Sequence, residues 1–374
     1  MTSTAVAGVP TSRPTATVVL KPGREKSLRL RHPWIFSGGI DRIDGAPAAG
    51  ATVDVHDAHG AFLARAAYSP SSQIRARVWT FDEREAIDAA FFTRRIDRAA
   101  AARAAMRDAG HDACRLVHGE SDGLPGVVVD RYGATVVVQF SSAGADAWRD
   151  ALADALAALP GVACVYERSD AEVRVLEGLA PRTGVLRGTL PDAITLVEDG
   201  LAYRVDVAGG QKTGFYLDQR DSRASVRRLA RGDALNLFCY TGGFTLALLA
   251  GGAATVLSID SSADALALAR ANLALNPALD PWNFVNDLER WTIYRQHAMP
   301  WLEEAAARGE PAALIALARV HGDLRRIGPP YPRFRIADEE KFLVYVELMR
   351  RHGIAFAPVT RDADAIRDRL GAEA

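Results

Sequence analysis

The stretch from Ala234 to Asp260 limits most sharply what this chain can fold into. Ala234 to Phe238 is a short apolar run, followed at once by Cys239-Tyr240-Thr241-Gly242-Gly243. Two adjacent glycines carry no Cβ atoms, so the chain can turn tightly and let a ligand approach its backbone. A helix predicted from about Phe244 to Leu249 starts at that turn, with its first N–H groups free to meet an anion. Thr255 to Ile259 reads as a second buried strand, ended by Asp260. Such a unit nucleates an open α/β sheet, and an acid roughly 20 residues beyond the turn is placed to hydrogen-bond a ribose diol. Asp260 stands at that distance from Tyr240. Glycine turns and strand-ending acids occur in many α/β proteins, so Thr241-Gly242-Gly243 alone does not fix the ligand.

The preceding segment is more specific. Gly210 to Arg223 reads GQKTGFYLDQRDSR, and Leu235 to Phe244 reads LNLFCYTGGF. Together they resemble the cofactor site of the class I S-adenosylmethionine (SAM) methyltransferases that modify 23S ribosomal RNA at cytosine C5, the branch with an N-terminal PUA domain. The likeness runs from about Val18 to Asn276. It implies SAM as cofactor, bordered by Lys212, Thr213, Phe215, Tyr216, Asp218, Gln219 and Arg220, by Tyr240, Thr241, Gly242, Gly243 and Phe244, and by Asp260. An aromatic of the first group would pack on the ligand, and Arg220 is suited to a carboxylate. Asp221 and Ser222 are expected to cap the helix that follows.

At 374 residues the chain is long enough for two or three domains, each with its own core. Apolar residues make up 49% and charged residues 24%, as in ordinary globular proteins. The net charge is −1, so no global field draws in nucleic acid, and an RNA site must be a local patch. Three cysteines, an odd number in a long chain, point to free thiols in a reducing compartment, the cytoplasm. The N-terminus has no charged segment leading into a long apolar run, and no stretch reaches about 18 apolar residues, so neither a signal peptide nor a membrane span is expected.

The reading along the chain is α/β. Residues 1–16, rich in Ser, Thr, Ala and Pro, are expected to be disordered. Residues 17–86 read as a small β-barrel of short strands, among them Val18 to Leu20, Thr52 to Val55, Phe62 to Tyr68 and Ile74 to Thr80. Lys21, Arg24, Lys26, Arg29 and Arg31 cluster after the first strand, with Trp34 and Phe36 behind them; cations with aromatics suit phosphate contact and base stacking. For the two aromatics themselves, a place in the core is the favoured expectation. Arg75 and Arg77 share one face of a strand at period 2, expected to be half-solvated. The segments KPGREKSLRLRHPWIFSGGI and AYSPSSQIRARVW resemble the PUA portion of the family, which implies RNA binding by these seven cations.

Residues 87–190 read as an α+β middle domain: a helix over Ile87 to Arg107, a hairpin turning at Tyr132-Gly133, a helix over Ala147 to Leu159 and a strand over Val162 to Tyr166. Arg115, Arg131 and Arg168 are candidate phosphate contacts, with internal salt bridges at least equally expected. His111, Cys114 and His118 supply only three ligands with no second pair, so no metal is expected. Residues 191–276 read as a Rossmann-like methyltransferase domain, incomplete because the likeness stops at Asn276.

Residues 277–374 read as a mainly helical region. AAARGEPAALIALARVHGD is faintly similar to a Sel1/TPR helical repeat, which would make this region a protein-interaction module. C5 of cytosine is a poor nucleophile, and a cysteine thiolate must first add to C6. The family carries an Asp-Pro-Pro-Lys turn and a later Ser-Cys segment for this chemistry. In this sequence no Asp-Pro-Pro and no further cysteine follow Cys239. Cys239 is therefore the one candidate nucleophile near the cofactor turn, although a packed structural thiol is the favoured reading. Two functions stay open: methyl transfer from SAM to cytosine C5 of 23S rRNA, and a non-catalytic RNA-binding protein with a C-terminal interaction module.

Overall fold

A computed structural model describes Pro14, residues 16–279, the backbone of Phe284–Asn286, and Glu304 with residues 306–308. The helical tail expected over 277–374 lies almost entirely outside these residues. The chain divides into two compact units, residues 1–234, 240–255 and 264–283 in the first and residues 235–239, 256–263 and 284–374 in the second.

The first unit opens with six strands: β1 (Thr17–Leu20), β2 (Trp34–Phe36), β3 (Ile40–Asp44), β4 (Thr52–His56), β5 (Phe62–Tyr68) and β6 (Ile74–Thr80), with the short helix α1 (Lys26–Arg29) after β1. They form one sheet in the order β2-β6-β5-β4-β1-β3. Alternate residues enter a common core: Val18 and Leu20, Ile35, Val53 and Val55, Ala64 and Ala66, Ala76 and Val78, with Ile40 and Ile43 packed against it.

Helix α2 (Ala89–Ala102) follows, capped by Asp88, whose carboxylate accepts the Phe91 N–H at 2.8 Å. The single helix expected over 87–107 is broken at Arg103, whose guanidinium turns to Asp122 at 2.5 and 2.8 Å; α3 (Ala104–Asp108) resumes beyond it. A second sheet combines β7 (Ala113–His118), β8 (Val127–Tyr132), β9 (Thr135–Phe140), β10 (Cys164–Ser169) and β11 (Arg182–Gly188) in the order β11-β10-β9-β8-β7. Helices α4 (Ala143–Ala147), α5 (Arg149–Ala157) and α6 (Val173–Leu176) are interleaved with it.

This middle sheet is buried on both faces. Val136, Val138 and Phe140 join Phe91, Phe92, Ile96, Trp148 and Leu152 in one core, which also takes in Ala67 and Trp79 from β5 and β6. Val137, Tyr132 and Tyr166 point the other way, into a core with Leu196, Leu201, Tyr203, Phe215 and Leu246. The second core rests on the antiparallel hairpin of β12 (Ile194–Glu198) and β13 (Leu201–Val205).

Then come α7 (Arg220–Leu229), β14 (Asp233–Leu237), α8 (Gly243–Ala250), β15 (Thr255–Ile259), α9 (Ala263–Ala274) and β16 (Phe284–Asn286). The strands lie in the order β14-β15-β16, and β15 pairs with β16 in parallel, giving the alternating β-α-β order of a Rossmann-like sheet. Strand β16 lies beyond Asn276, so the α/β sheet continues past the point where the sequence likeness was read as ending. Among the described residues no helix is long and apolar enough to cross a membrane.

Candidate functional site

Within the first unit, most of the residues read as cofactor-binding lie on two loops. One runs from Asp206 to Tyr216, between β13 and α7; the other is the glycine turn Tyr240 to Phe244 that opens α8. The hydroxyl of Tyr240 ties them together. It accepts the Gln211 N–H at 2.9 Å and donates to the Gly214 carbonyl at 3.2 Å. Burial raises the phenol's pKa, so the group remains a donor through the neutral range. At Gly210 a Cβ would meet the Asp206 carbonyl at 2.3 Å and the Tyr240 hydroxyl at 3.0 Å, so the close approach of the loops needs glycine there.

The turn itself depends on glycine. Gly242 has φ +79°, a left-handed conformation, and a Cβ there would press on Ala269 at 3.0 Å. The eight-residue helix α8 starts at Gly243, and its N-cap residue Gly242 carries no side chain of its own. Asn272 on α9 fixes the turn from behind: fully buried, it donates to the Thr241 carbonyl at 2.8 Å and accepts the Arg204 N–H at 2.6 Å. Neither Asn272 nor its companion Asn276 was singled out in the sequence, although two asparagines four residues apart at the end of an apolar helix were a visible signal.

The KTGFYLDQR segment splits into two sets. Lys212, Tyr216 and Asp218 reach solvent. The Lys212 ammonium lies over the Tyr216 ring, 4.3 Å from its centroid, and 3.6 Å from the Asp218 carboxylate. Tyr216 packs edge-on to Tyr240 and donates to the Gln211 side chain at 2.6 Å. Gln219 is half-buried at the N-cap of α7.

Thr213, Phe215 and Arg220 turn inward instead. Thr213 is bonded to Asp130 at 2.5 Å and to Tyr132 at 3.0 Å. Phe215 is buried between Tyr203 and the Arg223 guanidinium. Arg220 finds a carboxylate, but it is the protein's own Glu198 at 3.2 Å, shared with Arg223 at 2.6 and 2.9 Å. The capping expected of Asp221 and Ser222 is corrected too: α7 starts at Arg220, which leaves both residues inside its first turn.

In the second unit, Cys239 donates its backbone N–H to the Ile259 carbonyl at 3.0 Å, and Asp260 accepts the Ser262 N–H at 2.8 Å. Cys239 is buried. Desolvation, reinforced by the Asp260 charge, pushes its thiol up to about 12. The other two cysteines, Cys114 and Cys164, are also buried, with thiols raised chiefly by desolvation.

The basic N-terminal segment is surface. Lys21, Arg24, Lys26, Arg29 and Arg31 are exposed; Lys21 reaches the Gly38 carbonyl, Arg29 pairs with Asp57 at 3.3 Å and Arg31 lies over Phe81. The expectation that Trp34 and Phe36 are core residues is corrected: Phe36 is 51% exposed, and Trp34 is half-buried with its indole N–H on Glu120 at 2.7 Å. His32, Trp34 and Phe36 form an edge-to-face aromatic row beside the cations.

Arg75 is half-exposed and donates to the Pro70 carbonyl. Arg77 is buried and salt-bridged to Glu177, so at this position the face of β6 expected to be half-solvated is covered by the middle domain rather than by water. Arg115, Arg131 and Arg168 are likewise engaged internally, by Asp130, by the Gly133 and Pro160 carbonyls, and by the Val207 and Gly210 carbonyls.

A β-rich module of this kind ahead of a glycine-turn α/β sheet defines a PUA-containing SAM-dependent methyltransferase architecture. A family model of PUA-like domains matches residues 18–81, and one of S-adenosylmethionine-dependent methyltransferases matches residues 174–287, running past Asn276. Over 304 residues the chain is 53% identical to the ribosomal RNA large subunit methyltransferase I of Klebsiella pneumoniae, a match covering 80% of this chain and 74% of the relative. The Salmonella enteritidis protein of the same name is 50% identical over 287 residues, 75% of this chain and 71% of its own length. A solved structure from Streptococcus mutans, described as a SAM-dependent methyltransferase, superposes with a TM-score of 0.62 at 22% identity, covering 78% of this chain and 73% of that one; at such identity the fold is what is shared. The chain belongs to the ribosomal RNA large subunit methyltransferase I family.

Proposed function

We propose that this chain is a SAM-dependent methyltransferase that acts on ribosomal RNA, and that its target atom is C5 of a cytosine in 23S rRNA. The observation that carries the reading is the pair of glycine loops joined by Tyr240, lying in the segment matched by the methyltransferase family model. The left-handed Gly242 and the helix start behind it fit the approach of an amino acid ligand's carboxylate to the backbone. Tyr216 and Lys212 offer an aromatic face and a cation beside it. Asp260 is assigned to the ribose hydroxyls on its spacing from the turn. When bound, SAM supplies an electrophilic methyl group. The chain's own part is to orient the donor by these loops and to grip RNA phosphates through Lys21, Arg24, Lys26, Arg29 and Arg31.

The covalent route to C5 needs a thiolate at neutral pH. Cys239, with its thiol near 12, is a packed structural residue in this arrangement, and Cys114 and Cys164 are no better placed. That observation favours a second reading, a protein that binds RNA and SAM without completing transfer. Calorimetry with SAM, paired with a transfer assay on unmodified 23S rRNA and mass analysis of the product nucleoside, separates the two. Binding with 5-methylcytidine formation supports the first reading. Binding without transfer supports the second, and absence of SAM binding removes the methyl-donor assignment and leaves RNA binding alone.

A further inference from the structure

The loop Asp206 to Tyr216 is not held by the methyltransferase segment alone. Asp130 and Tyr132 on β8, one residue apart and on the same face, both reach it. Asp130 is fully buried; its two oxygens take the Arg115 guanidinium at 2.9 and 3.0 Å, and one of them also accepts the Thr213 hydroxyl at 2.5 Å. Thr213 has a single hydroxyl proton, already given to Asp130. The 3.0 Å contact between Tyr132 and Thr213 must therefore run from the phenol to the threonine oxygen. Burial, with the Asp130 charge beside it, raises the phenol's pKa and keeps the donor in place.

A neighbouring strand grips the other end of the loop. Arg168 on β10 donates to the Val207 carbonyl at 2.6 Å and to the Gly210 carbonyl at 3.1 Å. Between these anchors Lys212 adopts φ +53°, a left-handed conformation that a lysine does not choose by itself. That conformation accompanies the placement of its ammonium over Tyr216. The loop's shape is thus imposed from the middle sheet, through a chain from Tyr132 to Thr213 to Asp130 and a second clamp at Arg168.

We infer that Asp130, Tyr132 and Arg168 are positioning residues for the methyl donor, and that the middle domain sets donor affinity by fixing the Gly210–Tyr216 loop. This rests on the assignment of that loop to SAM. The test uses the full chain and titrates S-adenosylhomocysteine calorimetrically into the unsubstituted protein and into Tyr132→Phe, Thr213→Val and Thr213→Ser. Each change is near-isosteric, and thermal unfolding checks that the fold persists.

Losing one buried hydrogen bond in Tyr132→Phe should weaken binding by about tenfold, and losing both bonds of the hydroxyl in Thr213→Val by at least as much. Thr213→Ser keeps the hydroxyl and should stay within about twofold. The double variant Tyr132→Phe/Thr213→Val should lose less than the sum of the singles, since both break one chain. Amide exchange over residues 208–216 should quicken in the weakened variants, and KM for SAM should rise more than kcat falls. Unchanged affinity and exchange in Tyr132→Phe, with the unsubstituted chain binding normally, would overturn the positioning role alone. Failure of the unsubstituted chain to bind S-adenosylhomocysteine would overturn the methyl-donor assignment, and the positioning role with it.

Discussion

The Arg77 guanidinium lies 2.7 Å from the Glu177 carboxylate, 100 residues further along the chain, and both side chains are buried. Glu177 also accepts from the Ser69 hydroxyl and from the Ala143 N–H at 3.1 Å. One carboxylate therefore joins the N-terminal sheet to the middle domain.

Removing one partner leaves the other charge buried and unpaired, at a cost of about 3–5 kcal/mol. Arg77→Ala and Glu177→Gln should each lower the urea midpoint accordingly. Acid should act through the same contact. Desolvation raises the Glu177 pKa, but hydrogen bonds from Ser69 and Ser72, the Arg77 charge and the Ala143 N–H outweigh it, and the folded value lies below the unfolded one. Its stabilisation is then fully present above the unfolded value of about 4.3 and is lost as pH falls through the folded value. A Glu177→Gln protein with an unchanged acid limb of its stability curve would contradict this.

The exposed cations and the buried one should behave differently toward RNA. Lys26→Ala should weaken binding to an rRNA fragment and flatten the salt dependence by about 0.7–0.9 in the logarithmic slope. At matched folded fraction, an Arg77 variant should keep the full slope. Fluorescence anisotropy over a salt series reads both, and a slope lost on Arg77 substitution would return that residue to the RNA surface.

Phe36, exposed beside Trp34, is a stacking platform in this reading. Phe36→Ala should cost about 1–3 kcal/mol of affinity for single-stranded RNA if a base rests on it. Stability should barely change, since the ring is half in water. Equal affinities for the two proteins would assign Phe36 to some other contact.

Asp260→Ala should abolish SAM binding while leaving RNA affinity intact. Calorimetry and anisotropy on the same preparation check the two halves, and a SAM affinity equal to that of the unsubstituted protein would withdraw the ribose assignment.

Thiol labelling tests the cysteine argument. Cys239, held protonated by burial, should resist iodoacetamide in the native protein at neutral pH and react once denaturant exposes it. Rapid native labelling at Cys239 would restore it as a nucleophile.

Local chemistry was legible wherever a residue's role depends on its neighbours in sequence. Period-2 alternation located β5 and β6, and the Gly242-Gly243 pair marked the turn before α8. Strand β11 was missed because its side chains are largely exposed at a sheet edge and show no apolar alternation. Arg77 was misplaced for a related reason: alternation says which residues share a face, not what covers that face.

The sequence by itself determined the family and most of the strand, turn and helix order, and named candidate residues for a methyl donor, because backbone conformation and short-range hydrogen bonding follow from nearby side chains. Only the tertiary structure decided which of the candidate site residues are engaged inside the protein. Thr213 is claimed by Asp130, Arg220 by Glu198 and Arg77 by Glu177, partners 83, 22 and 100 positions away. A buried charge or hydroxyl must be satisfied by whatever the fold brings within about 3 Å, and no local pattern names that partner in advance.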